Sequence, residues 1–139
     1  MNSIKRDKIT GLIGQNIQGS LSPQIHNYLA NIMGQKYHYF LFDINHEELK
    51  KAVESIKTLD IRGVNVTIPY KKDVIQYLDL LDQRVKKIGA VNTIVNEKDK
   101  LVGYNTDLDG FDEMAYSKGI TFDHKKVVLL GAGGAARAI

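Results

Sequence analysis

A switch of hydrophobic period, from two residues to about 3.6 and back, recurs three times before residue 82 and leaves few folds open. Residues 10–14, 37–42 and 64–68 read as strands, because β-branched and aromatic side chains there favour an extended chain. Between and after them, three sets repeat with helical spacing: Ile25, Tyr28, Leu29, Ile32 and Met33; Leu49, Ala52, Val53 and Ile56; Val74, Ile75, Tyr77, Leu78 and Leu81. Strand, helix and strand repeated in this way predict parallel neighbours joined by right-handed crossovers. Residues 89–95 and 101–104 read as two further strands around the polar turn Glu97-Lys98-Asp99-Lys100, a hairpin that reverses one strand of the sheet. The expected fold is α/β, a three-layer α/β/α arrangement around a mixed, mainly parallel sheet with one antiparallel strand.

Polar groups gather where these strands stop. In Asn65-Val66-Thr67-Ile68-Pro69-Tyr70-Lys71 the valines and Ile68 alternate with Asn65 and Thr67, and Pro69 ends the ladder because it has no N–H to donate. A helix is expected over 73–81, which places Lys71 in the turn between strand and helix. Ser22-Pro23 reads as an N-cap followed by proline in the first helical turn. The free N–H groups of that helix start, the Ser20 and Ser22 hydroxyls and a close approach at Gly19 together suit a carboxylate. Asn105-Thr106-Asp107 closes the hairpin and leads into a helix over 108–118 with Gly119 as its stop. Each feature alone has a plain structural explanation: Ser22 as a cap, Asn65 and Thr67 as turn residues, Lys71 and Lys72 as solvated lysines. Open α/β sheets nevertheless bind ligands at the carboxyl ends of their strands, where these groups lie.

Composition narrows the ligand. The 19 basic and 16 acidic side chains leave a net charge of +3 spread along the chain, which fits a small anion better than a nucleic-acid groove. Apolar runs fall far short of the roughly 20 residues of a membrane span and the N-terminus is polar, so a cytoplasmic protein without membrane contact is expected. There is no cysteine, and His26, His38, His46 and His124 lie in four separate segments, so no metal site is expected.

The last fifteen residues carry a different signal. An apolar strand expected over 126–130 runs into Gly131-Ala132-Gly133-Gly134-Ala135-Ala136, a strand, glycine-rich turn and helix start of the dinucleotide-binding kind. Gly131, Ala132, Gly133, Gly134 and Ala135 are therefore candidate cofactor-binding residues. The chain stops at Ile139, before the position about 20 residues on that would read the adenosine ribose. The organisation expected is a ligand-binding domain over 1–107, a linking helix and connection over 108–124, and the opening of a dinucleotide domain over 125–139.

In order, Ser20-Leu21-Ser22-Pro23, Asn65 to Lys71, Ala90-Val91-Asn92-Thr93 with Asn105-Thr106-Asp107, and the glycine-rich end resemble the shikimate dehydrogenases over nearly the whole chain. The resemblance implies NADP-linked reduction of 3-dehydroshikimate to shikimate in aromatic amino-acid biosynthesis, by an N-terminal substrate domain and a C-terminal Rossmann domain. It implies that Ser20 and Ser22 hold the substrate carboxylate, that Thr67, Asn92 and Asp107 bind ring hydroxyls, and that Lys71 is catalytic with Asp107 as its partner. Lysine side chains are ordinarily charged at neutral pH, so orientation is the role expected of that carboxylate. Asn65 is expected to be mainly structural and Lys72 solvated. A quinate/shikimate dehydrogenase preferring NAD, and a ligand-binding or self-associating fragment, are the alternatives; the Ser20 and Ser22 pair resembles the shikimate-selective pattern more closely. With so little of the second domain, the chain itself is expected to be inactive, not to bind NADP, and to form a homodimer through the unpaired strand edge at its end.

Overall fold

The computed structural model describes residues 7–139. Six strands form one sheet: β1 (Lys8–Gly14), β2 (Tyr37–Asp43), β3 (Gly63–Val66), β4 (Leu80–Leu81), β5 (Thr93–Glu97) and β6 (Lys100–Tyr104), in the spatial order β2-β1-β3-β5-β6-β4. β2 and β3 lie parallel to β1 on either side of it, and β4 is parallel to β6. Only β5 runs against its neighbours, β3 and β6, as the hairpin pattern predicts. The chain leaves β1 to one side for β2 and returns to its other side for β3, so β1 and β3 flank a topological switch point.

The layers follow from the two sheet faces. On one, Leu49, Val53 and Ile56 of α2 (Leu49–Thr58) close over Ile13, Val64, Val66, Ile94 and Leu101, all buried. On the other, α1 (Ser22–Ile32) lies across β2, above a smaller cluster of Leu12, Ile17 and Tyr39. α3 (Gln83–Ile88) is capped at one end by the Asp82 carboxylate, which accepts the Arg84 N–H at 2.9 Å, and at the other by Gly89 at φ +69°. α4 (Asp107–Ser117) ends before Gly119, which takes φ +66° as its stop signal requires.

Four expectations are corrected. Ser22 is the first helical residue rather than the N-cap, a position held by Leu21; the Ser20 hydroxyl accepts the Ser22 N–H at 3.2 Å and turns the chain into the helix early. The helix expected over 73–81 is a short 3-10 turn, Asp73–Tyr77, followed by β4. The Asp79 carboxylate accepts the Leu101 N–H at 2.6 Å and the Lys57 ammonium at 2.8 Å, which docks this segment on β6, and Leu78 and Leu81 then fill the space above Gly103. The strand expected over 89–95 joins the ladder only at Thr93, because Gly89 ends α3 and the Val91 N–H is already given to the Lys71 carbonyl at 2.7 Å. Residues 126–130 form no strand: they find no ladder partner among the described residues, and Leu130 is 93% exposed. The turn after them does form, closing with Arg137 N–H to Gly133 O at 3.1 Å, and Ala138 is buried against Ile88 and Ala90.

Lys57 and the Leu101 N–H hold the Asp79 carboxyl below its ordinary value of 3.8. A depressed carboxylate stabilises the fold fully above the unfolded value and loses that contribution as the pH falls through the folded one. Asp79→Asn should therefore cost about 1 kcal/mol in urea unfolding at neutral pH, a modest figure because the pair is half-exposed. The difference from wild type should close as the pH drops below 3.8; a difference that persists in acid would assign the effect to packing.

Candidate functional site

Because β5 is reversed, its first residue stands at the sheet edge where β1, β3 and β6 end. Four connections meet there: residues 15–21 after β1, Thr67 to Lys71 after β3, Ala90 to Asn92 before β5, and Asn105 to Asp107 after β6. The Gln15 N–H donates to Ile68 O at 3.2 Å, and the Asp43 carboxylate takes the Asn16 and Ile17 N–H groups at 2.8 and 3.3 Å. Tyr70 is fully buried and donates to Ile44 O at 2.8 Å, which pins the turn that carries Lys71.

Lys71 and Asp107 meet across the edge, Nζ to Oδ2 at 2.7 Å, with side chains 20% and 27% exposed. The other oxygen, Asp107 Oδ1, accepts from Asn92 Nδ2 at 2.7 Å. The Asn92 carboxamide also donates to Thr106 Oγ1 at 2.9 Å and accepts the Thr106 N–H at 3.1 Å and the Thr93 hydroxyl at 2.9 Å. Asn105, 2% exposed, bridges behind them, donating to Ala90 O at 3.0 Å and accepting the Asp107 N–H at 2.9 Å. Asp107 begins α4, where the helix dipole favours a carboxylate.

A second group of donors stands at the start of α1. Ser20 Oγ and Ser22 Oγ are 3.0 Å apart, and the Ser22 hydroxyl faces the phenol of Tyr39. That phenol donates to Asn65 Oδ1 at 2.8 Å, and Asn65 Nδ2 donates to Thr93 Oγ1 at 3.1 Å. Burial pushes Tyr39 up to about 12, against a smaller opposing pull from Ser22, so the phenol keeps its proton and remains a donor at neutral pH. A run of hydrogen bonds through Tyr39, Asn65, Thr93 and Asn92 thus leads from beside the serines to the Lys71–Asp107 pair.

Of the sequence candidates, Asn92, Asp107 and Lys71 lie within this run, and Ser20 and Ser22 bond each other beside its Tyr39 end. Thr67 is at the same edge, its N–H given to Ile13 O at 2.9 Å and its methyl group against Gly14. Around Gly19 there is open space, so no neighbouring part of the chain requires a glycine there. Lys72 is exposed, as expected of a solvated lysine. Asn65, read from sequence as mainly structural, is an interior link; Thr93 and Asn105 belong to the motifs quoted for the resemblance but have no role assigned by it, and nothing local marks Tyr39. Among the candidate cofactor residues, Gly131 takes φ +117°, a conformation suited to glycine, and Gly131 and Gly133 face open space. Gly134 packs against Lys71 and Ala90, 3.4 Å from where its own Cβ would stand. A cavity of about 400 Å³ among Lys8, Lys36, Arg62 and Lys98 lies at the opposite end of the strands and contains none of these groups.

The family described as the shikimate dehydrogenase substrate binding domain matches residues 12–94. The chain belongs to the shikimate dehydrogenase family. It is 50% identical over 129 residues to the NADP(+) shikimate dehydrogenase of Clostridium beijerinckii, covering 93% of this chain and 48% of that protein. Shikimate dehydrogenase 1 of Peptoclostridium difficile superposes with a TM-score of 0.91 at 43% identity, over 94% of this chain and 48% of that one. The shikimate 5-dehydrogenase of Thermus thermophilus, solved with NADP(H) and shikimate, superposes at 0.89 with 33% identity, over 95% of this chain and 50% of that one. The chain spans about half the length of the relatives it matches.

Removing a buried amide that satisfies two backbone groups leaves both without partners. Asn105→Ala should therefore lower unfolding stability by about 2 kcal/mol in urea at neutral pH. No loss would show that water replaces Asn105 and that Asp107 does not depend on it.

Proposed function

We propose that this chain forms the substrate-binding half of an NADP-dependent shikimate dehydrogenase, which reduces 3-dehydroshikimate to shikimate on the route to chorismate and the aromatic amino acids. The observation that carries the reading is the Lys71–Asp107 contact at 2.7 Å, on the same strand edge as the two serines at the start of α1. An ammonium held at one end and hydroxyl donors at the other suit a ring that carries a carboxylate on one side and a reducible carbonyl on the other.

In this reading Ser20 and Ser22 hold the carboxylate, helped by the free N–H groups of the helix start. Thr67, Asn92 and Asp107 take the ring hydroxyls. NADPH, when bound, supplies the hydride, and the open turn of Gly131, Ala132, Gly133, Gly134 and Ala135 has the glycine geometry to hold its phosphates. Carbonyl reduction leaves an alkoxide; Lys71 stabilises that charge and gives up the proton that completes the alcohol, and in the reverse direction it takes the proton back. Asp107 keeps the ammonium aimed at the reacting oxygen, while Asn92 keeps Asp107 turned toward Lys71.

By itself the 139-residue chain should bind shikimate without turning it over or holding NADP, since residues 126–130 pair with no strand among the described residues and a dinucleotide site needs a βαβαβ unit. The exposed Val127, Val128, Leu129 and Leu130 offer an edge through which two copies can pair, and a homodimer is the assembly proposed. Among the described residues no helix is long and apolar enough to cross a membrane, and the setting proposed is the cytoplasm.

Addition of shikimate to the isotopically labelled chain should shift amide resonances in Ser20, Ser22, Thr67, Lys71 and Asn92; unmoved resonances at millimolar shikimate would sink the proposal. In a polypeptide that also carries the second half, Lys71→Ala should lower kcat about 10²-fold with much less change in KM. An equal loss in Lys72→Ala would remove the distinction drawn between the two lysines.

A further inference from the structure

Tyr39 is held from three sides, more firmly than a core tyrosine requires. Its ring is buried, with 4% exposed, and stacks on His26 at a centroid distance of 4.1 Å and an interplanar angle of 7°. Its backbone is clasped by the Asn27 carboxamide, which accepts the Tyr39 N–H at 2.9 Å and donates to Tyr39 O at 3.1 Å. Its phenol donates to Asn65 Oδ1 at 2.8 Å. Ser22, His26 and Asn27 all belong to α1, whereas Asn65 belongs to β3.

The clasp matters because α1 has little else to fix its position. Ala30 is the one buried residue of the helix, and Ile25, Tyr28, Leu29 and Ile32 are exposed. A helix seated by so few apolar contacts takes its place on the sheet from the polar clasp at its middle, and Ser22 rides on the turn just before it.

The direction of the hydrogen bonds is also determined. The Asn92 carbonyl, 3.4 Å from Asn65 Nδ2, can only accept, so the Asn65 amide nitrogen faces it and Thr93, and its oxygen must face Tyr39. The phenol proton is therefore committed to Asn65. Donation then runs one way, from Tyr39 through Asn65 and Thr93 to Asn92 and on to Asp107. Bonds aligned in this sense polarise one another.

We propose that Tyr39 is a positioning residue that joins the two ends of the site, tying the helix start that carries Ser22 to Asn65 on β3 and so fixing the distance between carboxylate recognition and the ring-hydroxyl groups. The proposal rests on the shikimate reading for its ligand. For its geometry it rests only on the contacts of Tyr39. Tyr39 acts through Asn65 and Ser22, and its loss should be felt as a loosened site rather than as a missing ligand contact.

A double-mutant cycle separates these roles. In the wild-type chain, Tyr39→Phe keeps the ring and removes the hydroxyl, and calorimetry or NMR titration should show shikimate binding weakened about tenfold. In an Asn65→Ala background the same substitution should weaken binding less than about twofold, because the link it served is already gone. The neutral methyl ester of shikimate should lose less than the acid, since only the acid uses both ends. Equal tenfold losses in the two backgrounds, or no loss in either, would overturn the proposal. A ligand-free measurement keeps it testable if shikimate does not bind: Tyr39→Phe should shift the Ser22 backbone amide and the side-chain amide of Asn65. Wild-type chain that ignores shikimate while these shifts occur would overturn the functional reading and leave the tie standing; absent shifts would overturn the tie whatever the ligand does.

Discussion

The carboxamide of Asn92 is the constraint on which the site depends. Its orientation is not free: the Thr106 N–H can only donate, so Oδ1 must face it, and Nδ2 is turned toward Asp107. With one carboxylate oxygen taken in this way, the other is left to Lys71. The backbone of Asn92 is equally committed, its N–H given to Tyr104 O at 3.0 Å and its carbonyl receiving the Val66 N–H at 2.8 Å. One residue therefore joins the ends of β3 and β6 and aims the carboxylate between them. This is possible only because β5 is antiparallel. A parallel strand would bring its last residue to this edge and put its connection in from the other side; a reversed strand brings its entry, where the Asn92 backbone bonds both flanking strands and its side chain is left to reach Asp107.

That geometry, rather than attraction between charges, explains why the ion pair is placed here. Lys71 and Asp107 both retain contact with water, and ion pairs of that kind add little to stability. What the surrounding amides provide is direction. Asn105 holds the start of α4, Asn92 holds one oxygen, and the buried Tyr70 holds the turn before Lys71, so the ammonium has one place to sit without any large energetic reward for sitting there. The proton-transfer role proposed for Lys71 is better served by this arrangement than by a deeply buried pair, whose separation is costly.

How much of this was legible in the residues depended on whether the signal was local. The alternation of Val64 and Val66 with Asn65, and the turn around Glu97 to Lys100, marked the strands and the reversed one correctly, because period and turn chemistry are local properties. Leu78 and Leu81 misled, since spacing that suits a helix face also suits two side chains leaning over Gly103 from a strand edge; the arbiter was Asp79, whose partners lie 22 residues away at the Leu101 N–H and also at Lys57. Ser22 was placed one residue off because the Ser20 hydroxyl, not its own, turns the chain. Tyr39 carried no mark at all. Its role comes from Asn27 and Asn65, one on a helix 12 residues before it and one on a strand 26 residues after it, and such triangles are invisible until the sheet order is known.

The glycine-rich turn shows the same separation of local and distant causes. The segment before it, residues 126–130, has an apolar pattern as clear as that of β1 yet makes no ladder among the described residues, while the turn that follows forms, with Gly131 at φ +117°, and lies beside Lys71. A strand needs a partner on at least one edge, and an apolar run without one stays exposed to water. A turn needs only its own backbone and a surface, and here Ile88 and Ala90 supply the surface that receives Ala138. The contact of Gly134 with Lys71 is therefore a property of the substrate half, held in place by its own apolar patch and by the absence of a side chain at residue 134. A sheet assembled on residues 126–130 would inherit that position rather than create it, which places the responsibility for bringing the glycine-rich turn and Lys71 together on α3 and the connection before β5.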